Sequence, residues 1–330
     1  MGDSEIKHDW TFSQVKSIYD QPLLELIFEA ATVHRKYFKG NEVQVNSLVS
    51  IKTGGCSEDC HYCPQSARYA TGLKRKGLMG FDEVMGLAKK AKDSGSSRVC
   101  LGAAWREVKD GKDFDQVLGI VKGVNKMGLE VCCTLGMLKP EHALKLKEAG
   151  LYAYNHNIDT SGSHYKKIIS TRNYNDRLKT LENVRKAKLS VCCGGIIGLG
   201  EKEEDRIQML VNLANMTPHP DSVPINTLVA VKGTPLEKQG MVSAWEWARM
   251  IATTRLVLPH SFVRLSAGRL GRSTEAQALC FLAGANSIFS GEKLLTTPNP
   301  ELGEDEKMFE ILGLKPMKPF AKEMNEYAAR

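Results

Sequence analysis

The chain of 330 residues is 42% hydrophobic and 25% charged, enough apolar material for a sizeable buried core, which excludes a disordered or collagen-like polymer. Its net charge of +7 is mild and its Lys and Arg are scattered among Asp and Glu, so nothing indicates a nucleic-acid groove. No run approaches the ~18 consecutive apolar residues of a membrane span, and residues 1–6 lack a signal core, which makes the cytoplasm the expected location.

Residues 22–38 carry an apolar stripe at helical spacing and predict an amphipathic helix ahead of the first strand. From there β-rich runs alternate with helical segments. Strands are expected over 45–51, 98–102, 129–135, 152–158, 190–199, 222–229, 261–267 and 287–289. Helices are expected over 82–94, 114–127, 140–149, 174–188, 203–215, 244–258 and 274–283, several opened by Asp, Ser, Thr or Pro and closed by Gly. This alternation, over roughly 250 residues, predicts an α/β fold, a (β/α)8 TIM-type barrel with an N-terminal helical extension. No G-x-G-x-x-G follows the first strand to argue for a dinucleotide fold. The expected divisions are 1–40 for the extension, 41–315 for the barrel and 316–330 for a C-terminal tail.

Nine cysteines, an odd number without a secretory signal, favour metal or redox chemistry over disulfides. Cys56, Cys60 and Cys63 follow the first strand within one short loop. Three thiolates on a 4Fe-4S cube would leave one iron open, as a catalytic cluster requires. A structural zinc site completed by His61 or a distant cysteine is the blander reading.

The other cysteines fall in strands, where side chains alternate between the barrel interior and the helix layer. Val131, Cys133 and Leu135 form an apolar outward set, which leaves Cys132 and Thr134 inward. The same alternation turns Cys192 inward against Val191 and Cys193, and Cys100 inward between Val99 and Leu101. Arg264 and Ser266 face inward between Val263 and Leu265, and Asn155, Asn157 and Asp159 share one face. Taken alone, each inward cysteine reads as a small buried hydrophobe, and Arg264 as an ion-pair partner, for example of Asp159. Cys133, Cys193 and Cys280 read as core, and Lys74, Arg75 and Lys76 as a solvated face.

The triplet with the aromatic Tyr62 just before its last cysteine, and the pattern Gly194, Ile196, Gly198 and Glu201 in the fifth strand, resemble the radical S-adenosylmethionine (SAM) superfamily. Segments 50–55, 154–160, 222–226, 263–269 and 294–300 resemble, more narrowly, its members that insert sulfur into dethiobiotin, a likeness running from about Trp10 to Leu314. The resemblance implies a 4Fe-4S cluster on Cys56, Cys60 and Cys63, and a 2Fe-2S cluster on Cys100, Cys132, Cys192 and Arg264. The guanidinium ligand comes from the resemblance alone, and the doublets with Cys133 and Cys193 leave open which cysteine of each pair binds.

By the same resemblance Tyr62, Gly194 and Ile196 border the SAM adenine, Asn157 and Asp159 its ribose, and Arg177 its carboxylate. Asn157, Asn226, Thr296 and Thr297 surround the substrate's ureido ring. Read without it, Asn226 caps a turn, and Thr296 and Thr297 before Pro298 end a helix. The implied reaction uses two SAM-derived 5′-deoxyadenosyl radicals and sulfur from the 2Fe-2S cluster, with a flavodoxin- or ferredoxin-type electron donor and a homodimer. A methylase or hydrogenase-maturation enzyme of the same barrel group, and a non-catalytic zinc or iron-sulfur module, are the competing readings.

Overall fold

A computed structural model describes residues 6–320 apart from 292 and 301. Two helices come first: α1 (Phe12–Tyr19), opened by a capping box between Thr11 and Gln14, and α2 (Leu23–Tyr37). Strands β1 (Glu42–Lys52), β2 (Arg98–Ala103), β3 (Glu130–Thr134), β4 (Ala153–Asn155) and β5 (Ser190–Cys192) then pair in parallel, each with the next. Next come β6 (Gly195–Ile197), β7 (Ser222–Thr227), β8 (Phe262–Leu265) and β9 (Ser287–Phe289), and β9 returns to pair with β1. Because β5 and β6 both pair with β7, they share one position and the wall is a closed barrel of eight. The α/β barrel expectation holds.

The expected fifth strand breaks where β7 carries Pro224. Cys193 N still donates to Ser222 O at 2.9 Å, but Pro224 has no N–H to give to the ladder. Gly194 faces it so closely that a Cβ there would lie 2.0 Å from the Pro224 carbonyl oxygen.

The intervening helices are α3 (Phe81–Asp93), α4 (Lys112–Lys126), α5 (Pro140–Glu148), α6 (Gly162–Ile168), α7 (Tyr174–Lys186), α8 (Glu203–Ala214), α9 (Ala244–Val257) and α10 (Thr274–Leu282). Every helix expected from periodicity is present with bounds within two residues. Three were not expected: α1, α6 and α11 (Leu302–Leu312). At seven residues α6 is too short to show an apolar stripe.

The apolar core lies between the strands and this helical layer. Val99, Leu101, Val131, Cys133, Leu135, Val191, Cys193, Val263 and Leu265 all join it, as does Cys280. Burying each Val or Leu contributes about 1.5–3 kcal/mol. Cys100 and Cys132 belong to a separate inner cluster with Ala153, Phe289 and Leu294, so strand parity sorted these side chains correctly. Helices α1 and α2 pack outside, against α8 and α9.

Past the barrel, β10 (Lys293–Leu294) and β11 (Thr297–Pro298) form an antiparallel hairpin, so Thr296 and Thr297 do not end a helix. The chain then returns beneath the barrel. β12 (Lys315–Pro316) pairs in parallel with the start of β1. Met317 N donates to Val43 O at 2.8 Å, and Phe320 N to the Glu130 carboxylate at 2.7 Å. The Phe320 ring meets Tyr152 edge-on at 5.6 Å, so these residues strap the N-terminal end of the barrel. Residues 321–330 of the expected tail lie outside the described residues. Among the described residues no helix is long and apolar enough to cross a membrane.

Candidate active site at the C-terminal mouth of the barrel

The C-terminal ends of the strands open into a cavity of about 320 Å³, where the loops that follow barrel strands can converge. Beyond β1, Gly54 and Gly55 take φ of +73° and +76°, a left-handed turn that glycine adopts without Cβ strain. Gln65 holds the turn, its side chain accepting from Gly54 N at 3.1 Å and its carbonyl from Cys56 N at 3.0 Å. Cys63 N donates to Cys60 O at 2.9 Å, and Cys56, Cys60 and Cys63 all line the cavity.

Asp59 ties this loop to the turn between α6 and α7. Its carboxylate accepts from the backbone N–H groups of Ser170 and Thr171 at 3.0 and 3.2 Å and from both hydroxyls. Burial raises the Asp59 pKa, but these hydrogen bonds together outweigh it and bring the group to about 2.

The donor set fits an iron-sulfur cluster better than a single ion. Burial pushes the Cys60 thiol up to about 11 and Cys63 to about 12, so near neutral pH both are protonated and a metal that binds them displaces those protons. Among the described residues no three His, Cys, Asp or Glu side chains converge where one ion could sit. Tetrahedral zinc requires that convergence, whereas a cluster ties each thiolate to a different iron. His61 does not line the cavity; its backbone N–H donates to Ile168 O at 3.0 Å.

Deeper in the barrel, Cys100 and Cys132 stand opposite each other in register on β2 and β3 and pack together in the inner cluster. Arg264, fully buried on β8, donates from Nε to Ser287 Oγ at 2.9 Å and from Nη1 to Cys192 Sγ at 3.5 Å. Its Nη2 reaches Gln44 Oε1 at 3.2 Å and Asn46 Oδ1 at 3.4 Å. Among the described residues no carboxylate pairs with Arg264. The expected partner, Asp159, is taken by Arg177, which reaches it from α7 while its Nε donates to Tyr165 Oη at 2.9 Å. A buried guanidinium held by neutral oxygens and facing thiols fits an anionic cluster, since a buried charge requires a counter-charge.

The cavity wall sets a few polar groups among apolar side chains such as Leu48, Phe289 and Leu294. Asn155 Nδ2 donates to Cys192 Sγ at 3.0 Å and to Asn157 Oδ1 at 3.4 Å, and Asn157 also accepts from Gly194 N at 3.1 Å. Asn226 donates to Gly195 O at 3.0 Å and accepts from Ala267 N at 3.1 Å. It lines the cavity with Asn157, Asp159, Arg177, Thr296 and Thr297. Tyr62 and Ile196 pack with Cys60, Leu199 and Leu228 in an apolar cluster at the mouth. Gly194 sits behind the cavity wall, its role set by its close approach to Pro224. Glu201, last residue of the Gly-rich pattern, holds the turn from below, accepting from Gly198 N at 2.8 Å and Arg206 Nε at 2.7 Å.

Several cavity residues were not singled out from the sequence: Glu58, Arg172 and His156, and behind Arg264 the side chains of Gln44 and Asn46. For Gln44 and Asn46 the signal was available, since two polar residues at alternate positions of β1 share a face.

A thiol-lined mouth on a parallel eight-stranded barrel defines a radical SAM barrel. Residues 50–214 match the family model of the Radical SAM superfamily, and residues 224–315 match the Biotin and Thiamin Synthesis associated domain. The chain is 62% identical over 317 residues to a biotin synthase of Cytophaga hutchinsonii, covering 96% of this chain and 94% of that one. It is 59% identical to the mitochondrial biotin synthase of Arabidopsis thaliana, covering 95% and 83%. The chain belongs to the biotin synthase family. Solved structures of a methylornithine synthase (TM-score 0.79, 22% identity, 93% and 94% covered) and of the [FeFe]-hydrogenase maturase (TM-score 0.80, 17% identity, 94% and 73% covered) share the fold.

Proposed function

We propose that the cavity converts dethiobiotin to biotin by sulfur insertion, with Cys56, Cys60 and Cys63 holding a 4Fe-4S cluster and Cys100, Cys132, Cys192 and Arg264 holding a 2Fe-2S cluster. The observation that carries this reading is the vertical arrangement: one thiol set at the mouth, a second with a carboxylate-free arginine below, and one largely apolar cavity, bearing a few amides and hydroxyls, that both sets line. When bound, the clusters supply the electron that cleaves SAM to the 5′-deoxyadenosyl radical and the sulfur that enters the product, chemistry that no side-chain base could perform on non-acidic C–H bonds.

The chain's own residues bind, orient and exclude water. Tyr62 and Ile196 form the apolar wall for the adenine, with Gly194 keeping the strand beneath them close to β7. Asn157 and Asp159 take the ribose hydroxyls, and Arg177, positioned by Asp159 and Tyr165, takes the SAM carboxylate. A ureido ring presents a carbonyl and two N–H groups; Asn157, Asn226, Thr296 and Thr297 offer both acceptors and donors to match it. The β10–β11 hairpin brings Leu294, Leu295 and the two threonines over the cavity, where they keep water from a reactive radical.

Electrons come from a small flavodoxin- or ferredoxin-type donor, for which exposed Lys74, Arg75 and Lys76 beyond the cluster loop offer a basic surface. The working assembly is a cytoplasmic homodimer that engages neither nucleic acid nor membrane. Residues 1–40 act as a helical extension, 41–315 as the catalytic barrel and 316–330 as a tail.

The test is anaerobic incubation of iron- and sulfide-reconstituted protein with SAM, reductant and dethiobiotin, with 5′-deoxyadenosine and biotin quantified together. Biotin at about two deoxyadenosines per product is the expected result, one for each hydrogen abstraction. Deoxyadenosine without biotin, despite a verified second cluster, would overturn the substrate.

A further inference from the structure

We propose that Arg172 tunes the cluster at the mouth: its guanidinium donates to the Cys60 sulfur and stabilises the reduced state. The inference rests on the reading of Cys56, Cys60 and Cys63 as cluster ligands.

Arg172 lies on the turn between α6 and α7, lines the cavity and is 7% exposed in its side chain. Its Nη2 is 3.8 Å from Cys60 Sγ. A guanidinium carries donors only and keeps its charge, so the direction of this contact is fixed. The nearest carboxylate, Glu58, reaches it only through a long ion pair with no hydrogen bond. Glu58 Oε2 stands 3.7 Å from Nε, and Nε is among the buried atoms that lack a hydrogen-bond partner. Glu58 is instead engaged by Arg106, in an ion pair of 2.9 Å, and by the Thr171 hydroxyl. Arg172 therefore faces the cavity with donors left over.

Nor does the turn need Arg172 as an anchor. Asp59 already fixes it through Ser170 and Thr171, and Arg106 Nη1 donates to Thr171 O at 2.8 Å. What the Arg172 charge adds is electrostatic. Reduction adds one electron from an external reductant to the cluster and moves no proton, so the site becomes more negative by one charge. A buried cation next to a ligand sulfur favours that state, and hydrogen bonds to the sulfurs are among the factors that set cluster potentials. Arg177, the other buried cation near Cys60, is paired with Asp159.

The experiment is a reductive titration of reconstituted full-length protein without SAM, with mediator dyes and the EPR signal of the reduced cluster as readout. Arg172→Gln is expected to shift the midpoint to more negative potential, Arg172→Lys to fall between it and wild type, and Arg106→Gln to leave it in place. A wild-type midpoint in Arg172→Gln, or an equal shift in Arg106→Gln, overturns the proposal. Should Arg172→Gln fail to retain its cluster, Arg172→Lys decides: a midpoint below wild type supports the contact and a wild-type midpoint removes it. Cys60→Ala tests the underlying assignment separately, because a reduced 4Fe-4S signal, distinguished from that of the 2Fe-2S cluster by its temperature dependence, that survives in that variant refutes the ligand set rather than the tuning role.

Discussion

Cys132 and Cys133 are consecutive in β3 and face opposite sides of the barrel wall: Cys132 touches Cys100 inside, while Cys133 packs against the helical layer. Cys132→Ala is therefore expected to keep reductive SAM cleavage while losing the 2Fe-2S absorption and biotin formation. Cys133→Ala should retain both and lose only about 1 kcal/mol of stability through a small cavity. Parallel visible spectra and product assays of the two reconstituted variants check this, and the reverse pattern would exchange the two assignments.

Arg177 and Asp159 form a buried ion pair, 6% and 3% exposed in their side chains, in which burial opposes the arginine's charge and Asp159 restores it. Arg177→Met leaves an uncompensated buried carboxylate and should destabilise the metal-free protein by about 3–5 kcal/mol. Adding Asp159→Asn to that variant should recover much of the loss. Urea unfolding of the two single variants and the double variant measures the coupling, and strict additivity would show that the pair contributes nothing.

The fold was legible because eight β-rich runs carried both a count and a parity. Val99, Leu101, Val131 and Val263 mark the outer face by alternation alone, and Cys100, Cys132 and Arg264 follow from it. What was not legible depends on which partners tertiary packing delivers. Arg264 and Asp159 share the interior, yet Arg177 arrives from α7 and takes the carboxylate, a choice no strand pattern encodes. Arg172 belongs to a turn with no periodicity, and its place beside Cys60 exists only because Asp59 draws that turn across the cavity.

His34 on α2 is buried beside Arg255 from α9 and Arg35 on its own helix, with the Phe38 ring at 5.8 Å. Burial first, then the two arginines, push its pKa down to about 3. Because the folded value is depressed, the contribution is fully present above the unfolded value of about 6.5 and is lost as pH falls toward 3. At pH 5 the expected loss is about 2 kcal/mol. His34→Gln should flatten the decline of the urea midpoint between pH 7 and pH 5, and an unchanged slope would show that His34 does not titrate on unfolding.

Two glycines give a paired stability test. A Cβ on Gly194 would lie 2.0 Å from Pro224 O, whereas on exposed Gly86 in α3 it would meet nothing within 4 Å. Gly194→Ala should cost several kcal/mol, on the order of other core overpacking, and Gly86→Ala should gain about 0.5–1 kcal/mol from helix propensity. Thermal unfolding of both variants reads the contrast, which equal melting temperatures would abolish.

The seam of the barrel joins distant parts of the chain: Gln44 and Ser287, which hydrogen-bond across it, are 243 residues apart, and Glu42 pairs with Lys315. During synthesis, β1 therefore leaves the ribosome long before either of its late neighbours exists. Until then the growing wall is an open curl with a bare edge, and the interior thiols are enclosed only once β9 has emerged to pair with β1.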